Sequence, residues 1–275
     1  MRLSSVQESA NTRYADRKIE VFLQGSYVND TNIHSESDVD IVICCTDEFY
    51  HDLAALSPDQ KSAFQSHFTD GTYGYNAFKA DVQAALVAAF GTSVQPPNKA
   101  FKIAANGARR NADVVAAFQH RRYLDFKGGG SQQFFEGISF FTHDNKRIDN
   151  FPAYHSQNLT AKHQATGNRF KPAIRIFKNM RSKLIEQGLI DNEDAPSYFI
   201  EGLLYNVPND VFAGNLSEMV FGILVWLHQI TDKTKFVCAN ERYYLLRKNS
   251  AVCWPEANGE KFINAAIELW NTGSE

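Results

Sequence analysis

Apolar and polar positions alternate through Ile19, Val21 and Leu23 up to Gly25, a period of two that predicts a strand running into a tight turn. Residues 31–37 are polar and turn-forming. The β-branched run Val39-Asp40-Ile41-Val42-Ile43 then predicts a central strand with Asp38 and Asp40 at its head. Ser57-Pro58-Asp59-Gln60 combines a cap residue, a proline at the first helical position and a Gln three residues after the cap, so a helix is expected to start there. A second helix is expected over residues 77–90, stopped by Gly91. Strands are predicted over 101–104 and 112–118, with a turn through Asn106 and Gly107 between them and Asp113 opening the second. Residues 137–142 and 147–151 predict two more strands around an Asp144-Asn145 turn. The glycines at 128, 129 and 130 do not open a predicted helix, as a phosphate-cradling loop does, and read as a flexible hairpin loop.

From Pro172 the period changes. Ala173, Ile176, Phe177, Met180 and Leu184 recur at helical spacing, with Pro172 suited to the first turn and Gly188 to the exit. Residues 197–205, 216–231 and 259–270 also read as helices, with no convincing strand among them. The chain thus divides into a mixed N-terminal region and a helical C-terminal region. The seam is expected within 152–169, giving domains 1–155 and 156–275.

Composition narrows the class without deciding it. At 275 residues, with 44% hydrophobic residues, 21% charged and a formal net charge of −3, the chain reads as an ordinary globular protein of one large or two small domains. A dedicated nucleic-acid coat or a membrane-surface protein needs a large excess of Lys and Arg, which is absent. The longest strongly apolar run, residues 221–227, is far short of the roughly 20 residues that cross a bilayer. Residues 1–15 lack the basic start and apolar middle of a secretory signal, so a cytoplasmic protein is expected. Cys44, Cys45, Cys238 and Cys253 show no zinc or redox spacing and read as reduced, mostly core thiols.

Asp38 and Asp40 lie two apart at a strand head and therefore project to one face. A further carboxylate on an adjacent strand would complete a site for two divalent ions roughly 3.5 to 4 Å apart, the apparatus for in-line displacement at phosphorus. Asp113, opening a later strand of the same expected sheet, is the candidate. Three aspartates with no His or Cys partner suit Mg²⁺, with Mn²⁺ as the alternative ion, better than zinc. Gly25 lets backbone approach a triphosphate, and Ser26 adds a hydroxyl and an amide for its terminal phosphates. Arg175, Lys178 and Ser182 share a helix face by i, i+3, i+7 spacing; a solvated face and a phosphate-facing one are both open. The histidines, His155 and His163 among them, show no metal spacing and read as surface or seam residues.

Gln24-Gly25-Ser26-Tyr27, Thr31-Asn32-Ile33 and Glu36-Ser37-Asp38-Val39-Asp40-Ile41 closely resemble the signature of the bacterial CD-NTases, relatives of cyclic GMP-AMP synthase within the DNA-polymerase-β-like nucleotidyltransferases. In the same order, Ala112-Asp113-Val114-Val115 with Arg121-Arg122-Tyr123, Phe170-Lys171 through Ile176-Phe177-Lys178-Asn179, and Ser197-Tyr198-Phe199-Ile200-Glu201 followed by Leu204-Tyr205-Asn206-Val207-Pro208 resemble that family too. The resemblance spans residues 19–270. It implies an α+β fold, a polymerase-β-like core with a mixed sheet plus a helical C-terminal lobe, and an active-site cleft between them. It further implies that Asp38, Asp40 and Asp113 bind metal and that Gly25 and Ser26 hold the donor triphosphate. Lys178, or Arg175 one turn earlier, would reach that triphosphate; Tyr198 would stack on a base with Ser197 near the phosphates. Two departures stand out: only a short polar stretch precedes Ile19, where the family has a longer helix, and His34 stands where arginine is common.

The expected reaction is template-independent joining of ribonucleoside triphosphates into a cyclic di- or trinucleotide second messenger for anti-phage defence, with pyrophosphate released. The expected partners are nucleoside triphosphates and a regulatory protein or an effector acting through the product, with no membrane and no long nucleic acid. One alternative keeps the site but modifies a protein, an RNA end or a small molecule. Another is a catalytically silent nucleotide-binding module.

Overall fold

The protein is described here by a computed structural model over residues 17–33, 38–95, 99–107, 110–248 and 250–273. The readings made at His34, at Glu36-Ser37 and at residues 1–15 lie outside the described residues. The chain forms two compact units, Met1–Gln24 with Asp38–Phe151, and Gly25–Ser37 with Pro152–Glu275.

The first unit is a mixed sheet with helices against it, and its strand residues are the β-branched and aromatic ones that suit a pleated surface. β1 (Ile19–Gln24) pairs antiparallel with β2 (Val39–Asp52), and β2 pairs parallel with β5 (Ala112–Phe126). Along its other edge β5 takes two antiparallel neighbours: β4 (Phe101–Ile103) beside its first residues and β6 (Gln132–Phe141) from Phe118 onward. β3 (Val94–Gln95) extends the sheet beyond β4, and β7 (Arg147–Asn150) beyond β6. Helix α2 (Pro58–His67) begins with the capping box expected at Ser57 and Gln60. Helix α3 (Tyr75–Phe90) ends at Gly91, as the sequence suggests. Its Tyr75, Phe78, Val82 and Leu86 fall on one stripe and bury against Ile41, Ile43, Cys45, Val114, Ala116 and Phe118. Because strand side chains alternate, Val42, Cys44, Val115 and Ala117 form a second, smaller apolar cluster on the opposite face.

The strands run further than their patterns predict. β2 continues to Asp52 through a register shift between Cys45 and Phe49, which breaks the alternation a reader would follow. β5 continues to Phe126 because its charged Arg121 is covered by aromatic faces, at 4.0 Å from the Phe49 ring centre and 5.1 Å from that of Phe134.

The second unit is helical. A short helix, α1 (Gly25–Asn29), belongs to it, together with α4 (Pro152–Ala165), α5 (Phe170–Glu186), α6 (Ser197–Tyr205), α7 (Leu216–Gln229) and α8 (Glu256–Thr272). Phe170, Ile174, Phe177, Phe199, Leu203, Ile223, Leu227 and Phe262 anchor its single large core. Gly188 leaves α5 with φ +71, the left-handed exit its position suggests. Helix α4 is the element the sequence hides: only His155 and Leu159 of it are buried, too few to print a stripe. The four cysteines are free thiols, and no helix among the described residues is long and apolar enough to cross a membrane.

Phe78 is fully buried, with Phe118 5.4 Å and Tyr73 6.2 Å away between ring centres. Phe78→Ala is expected to cost about 3–5 kcal/mol in urea denaturation followed by tryptophan-independent far-UV signal. A loss below about 1 kcal/mol would contradict the packing role.

Candidate active site

In the first unit the register of two parallel strands sets the acidic side chains. Asp40 lies directly opposite Asp113, flanked on its other side by Gln24 of β1, and Asp113 faces Lys102 of β4. Gln24, Asp40, Asp113 and Lys102 thus form a row across four strands. Asp40 and Asp113 share the face of Val42 and Val115, away from α3. Asp38 precedes β2, and Val39 is fixed beside it by donating its N–H to the Asn111 carbonyl at 3.1 Å. Asp38 is exposed, while Asp40 and Asp113 are half-buried.

The electrostatics record the crowding. Partial burial pushes the Asp113 carboxyl above its ordinary value, Lys102 pulls it back down, and the charge of Asp38 pushes it up again. A small cavity of about 180 Å³ is lined by Asp38, Gln95, Lys102, Asn111 and Asp113 among others, smaller than a site that encloses a whole ligand.

The donor set fits Mg²⁺ in kind: carboxylate oxygens that repel one another, beside a Gln24 carboxamide oxygen that is buried with no hydrogen-bond partner. Yet among the described residues no three His, Cys, Asp or Glu side chains form a ready ion cage. That is the normal condition of a magnesium site, which takes one or two carboxylates from the protein and the rest of its oxygens from phosphates and water.

The second unit holds Gly25, Ser26, Arg175, Lys178, Ser197 and Tyr198. Gly25 has φ +72, a conformation that costs a side-chain-bearing residue strain and lets the chain turn sharply out of β1. Ser26 is half-buried in α1, its carbonyl accepting the Thr31 N–H at 3.0 Å. Arg175 donates to the Asp30 carbonyl at 2.6 Å and keeps about a third of its side chain exposed. Ser197 opens α6.

Two expectations are corrected here. Lys178 is not on a phosphate-facing surface: it is fully buried, and its ammonium donates to Glu201 Oε1 at 2.8 Å and to the Thr31 carbonyl at 3.1 Å. Helical spacing placed it correctly on a face with Arg175, but spacing does not reveal whether a carboxylate waits beneath that face. His155 is not a surface residue: its Nε2 lies 2.8 Å from Glu201 Oε2, and it is 3% exposed. Tyr198 packs against partners of its own, stacked on His155 at 4.5 Å and on Trp254 at 5.9 Å, with Asn240 donating to its hydroxyl.

Glu201, quoted in the sequence only as part of a motif, is the centre of this cluster. Burial, its largest single influence, pushes the carboxyl up, but the charge of Lys178 and the hydrogen bond and charge of His155 outweigh it and hold the group at about 2. Thr31 Oγ1 donates to the same Oε1 at 2.5 Å. The available signal in the sequence was a Glu inside an otherwise apolar helix, Ser197–Tyr205, where a charge needs a partner.

A family model for the cGAS/DncV-like nucleotidyltransferase C-terminal helical domain matches residues 157–271. The cyclic nucleotide synthase CdnE01 of Staphylococcus haemolyticus is 39% identical over 272 residues, covering 96% of this chain and 89% of that protein. The Rhodothermus marinus CdnE c-UMP-AMP synthase, solved with Apcpp and Upnpp, superposes with a TM-score of 0.87 at 34% identity, covering 99% of this chain and 90% of that one. The Elizabethkingia meningoseptica CdnE cyclic dinucleotide synthase, solved with GTP and Apcpp, gives 0.79 at 29% identity, covering 99% and 91%.

Removing one partner of a buried ion pair leaves the other charge stranded, so Lys178→Ala is expected to lose about 3–5 kcal/mol of stability. Glu201 carries a pH signature as well. Its value in the folded protein, about 2, lies below its ordinary 4.5. The stability it contributes is therefore complete above 4.5 and disappears as pH falls towards 2. Thermal midpoints measured between pH 6 and pH 2 are expected to fall more steeply for the wild type than for Glu201→Gln; parallel curves would contradict the assignment.

Proposed function

The chain belongs to the cGAS/DncV-like nucleotidyltransferases, the CD-NTases, and from that membership we propose that it joins ribonucleoside triphosphates into a cyclic dinucleotide, releasing pyrophosphate at each bond. The observation that carries the chemistry is the pairing of Asp40 with Asp113 in adjacent parallel strands, in a chain whose relatives are named as cyclic nucleotide synthases. The reading that sends the nucleotide to a protein, an RNA end or a small molecule has no such support.

Asp38, Asp40 and Asp113 would hold divalent magnesium together with the substrate's phosphate oxygens. When bound, the ions neutralise the triphosphate and make a ribose hydroxyl easier to deprotonate. The remaining roles fall to the chain itself. Gly25, without a side chain, lets backbone approach the donor triphosphate, and the Ser26 hydroxyl and amide donate to its terminal phosphates. Arg175, with part of its guanidinium free of the Asp30 contact, supplies positive charge to the same group. Ser197 approaches the phosphates. Tyr198 presents its ring to a base only beside His155 and Trp254, which makes it a preformed aromatic stack rather than a lone platform.

A ribose hydroxyl of one nucleotide, losing its proton beside Asp113, attacks the α-phosphorus of the second. The bond to the β-phosphate oxygen breaks, and pyrophosphate leaves. Repetition within the linear dinucleotide closes the ring. Acceleration comes from holding the groups in line and offsetting charge, which is what phosphoryl transfer demands of a protein. The cytosol, where nucleoside triphosphates are abundant, is the compartment this activity suits.

Incubation with the four ribonucleoside triphosphates and Mg²⁺, followed by chromatography, is expected to yield a cyclic dinucleotide without any added acceptor. Asp40→Asn is expected to lower product formation by a factor on the order of a hundred or more while leaving the thermal midpoint unchanged or higher, since it relieves like-charge crowding. Chelation of divalent ions should stop pyrophosphate release. Asp40→Asn turnover near the wild-type rate would overturn the assignment.

A further inference from the structure

Lys178 and Glu201 lie at the bottom of a chain of contacts that ends at Ser26. The ammonium of Lys178 donates to the Thr31 carbonyl at 3.1 Å and lies 3.4 Å from its hydroxyl, and that hydroxyl donates to Glu201 Oε1 at 2.5 Å. Glu201 is held in turn by His155 at 2.8 Å. Thr31, fully buried, passes the constraint on through its N–H, which donates to the Ser26 carbonyl at 3.0 Å. Arg175 adds a parallel restraint one residue earlier, on the Asp30 carbonyl at 2.6 Å.

A buried ion pair is a poor way to gain stability, because desolvation offsets most of its attraction and an apolar pair of the same volume would serve as well. What this one supplies that an apolar pair would not is direction: three polar contacts converge on a single residue and fix its carbonyl and hydroxyl together. We propose that the Lys178–Glu201 pair and Thr31 are positioning residues for Ser26, setting the α1 segment so that Ser26 meets the terminal phosphates of a bound nucleoside triphosphate. The proposal rests on the reading of Ser26 as a triphosphate contact. It replaces direct contact by Lys178 with an effect exerted through Thr31. A contact that grips the triphosphate before and during reaction alike acts on affinity more than on turnover, so its loss belongs in KM and not in kcat.

The test is calorimetric titration of the full chain with an α,β-methylene nucleoside triphosphate in Mg²⁺, alongside KM and kcat for the hydrolysable nucleotide. Thr31→Val keeps the volume and the carbonyl but removes the hydroxyl, and Thr31→Ser restores it. Lys178→Met combined with Glu201→Gln removes both charges at once, so that no buried charge is stranded and the protein folds. Thr31→Val and the double variant are expected to bind the analogue about tenfold or more weakly, with KM raised to match, kcat little changed and the double variant's thermal midpoint close to wild type. Thr31→Ser is expected to bind as the wild type does. A folded double variant that binds at wild-type affinity overturns the proposal. Ser26→Ala separates the two levels: unchanged binding there removes the triphosphate role on which the network depends, whereas weakened binding there with unchanged binding in Thr31→Val removes the network alone.

Discussion

The parallel pairing of β2 with β5 sets Asp40 opposite Asp113, and two carboxylates on backbones about 4.8 Å apart repel unless positive charge lies near. The protein supplies a part of that charge through Lys102, while burial first, and the charge of Asp38 after it, raise the affinity of Asp113 for a proton. The register cannot relax to relieve it. A slip of one residue would turn Val114 out of the cluster under α3 and bring Asp113 into it, exchanging a modest repulsion for a buried, unpaired charge. The apolar residues on the α3 face therefore hold the acidic ones together on the other face. Crowded carboxylates at the end of a well-packed strand are the local inconsistency expected where a fold has been shaped for chemistry.

The helical unit solves a different problem with the same kind of group. Its large apolar core is bordered by a buried polar cluster in which Lys178 and His155 both contact the Glu201 carboxylate. A Lys or Glu is almost never fully buried without a partner, and here each is buried because the other is. The Nδ1 atom of His155 is buried without a hydrogen-bond partner, and its ring is pressed on Tyr198. The cluster thus joins α4, α5, α6 and the segment after α1 through side-chain contacts and through the Thr31 carbonyl.

Most of the sheet was legible in the sequence, and the reason is periodic. Alternation over residues 19–23 and the run from Val39 forecast β1 and β2, and the side-chain period of two made Asp38-x-Asp40 meaningful before any partner was known. Asp113 followed from its place at the head of a later strand. Caps were equally readable, since Ser57-Pro58-Asp59-Gln60 carries its hydrogen bonds within four residues. What failed had no local signature. Helix α4 buries too little to show a stripe, and its boundary was read as a seam. Lys178 and Glu201 lie 23 residues apart, and neither position announces the other; only packing α5 against α6 discloses that the lysine is inside. His155 was misplaced for the same reason, because a histidine's surroundings are set by a partner 46 residues away.

The contrast between the two units comes down to where free backbone groups are found. A strand presents N–H and C=O groups sideways, so β2 can be placed on β5 by repeated main-chain bonds, and a carboxylate at Asp40 inherits that precision without help from its own side chain. A helix satisfies its backbone internally and has nothing left along its flank to pin a passing segment. The stretch from Gly25 to Thr31 leaves β1 through a left-handed glycine and runs beside helices, where main-chain pairing of that kind is not on offer. A side chain must then reach across to a carbonyl, it must carry several donors to fix more than one atom, and it must be neutralised because the place is dry. Lysine against glutamate meets all three conditions, which is why the helical unit places charge in its interior at the position where the sheet uses register.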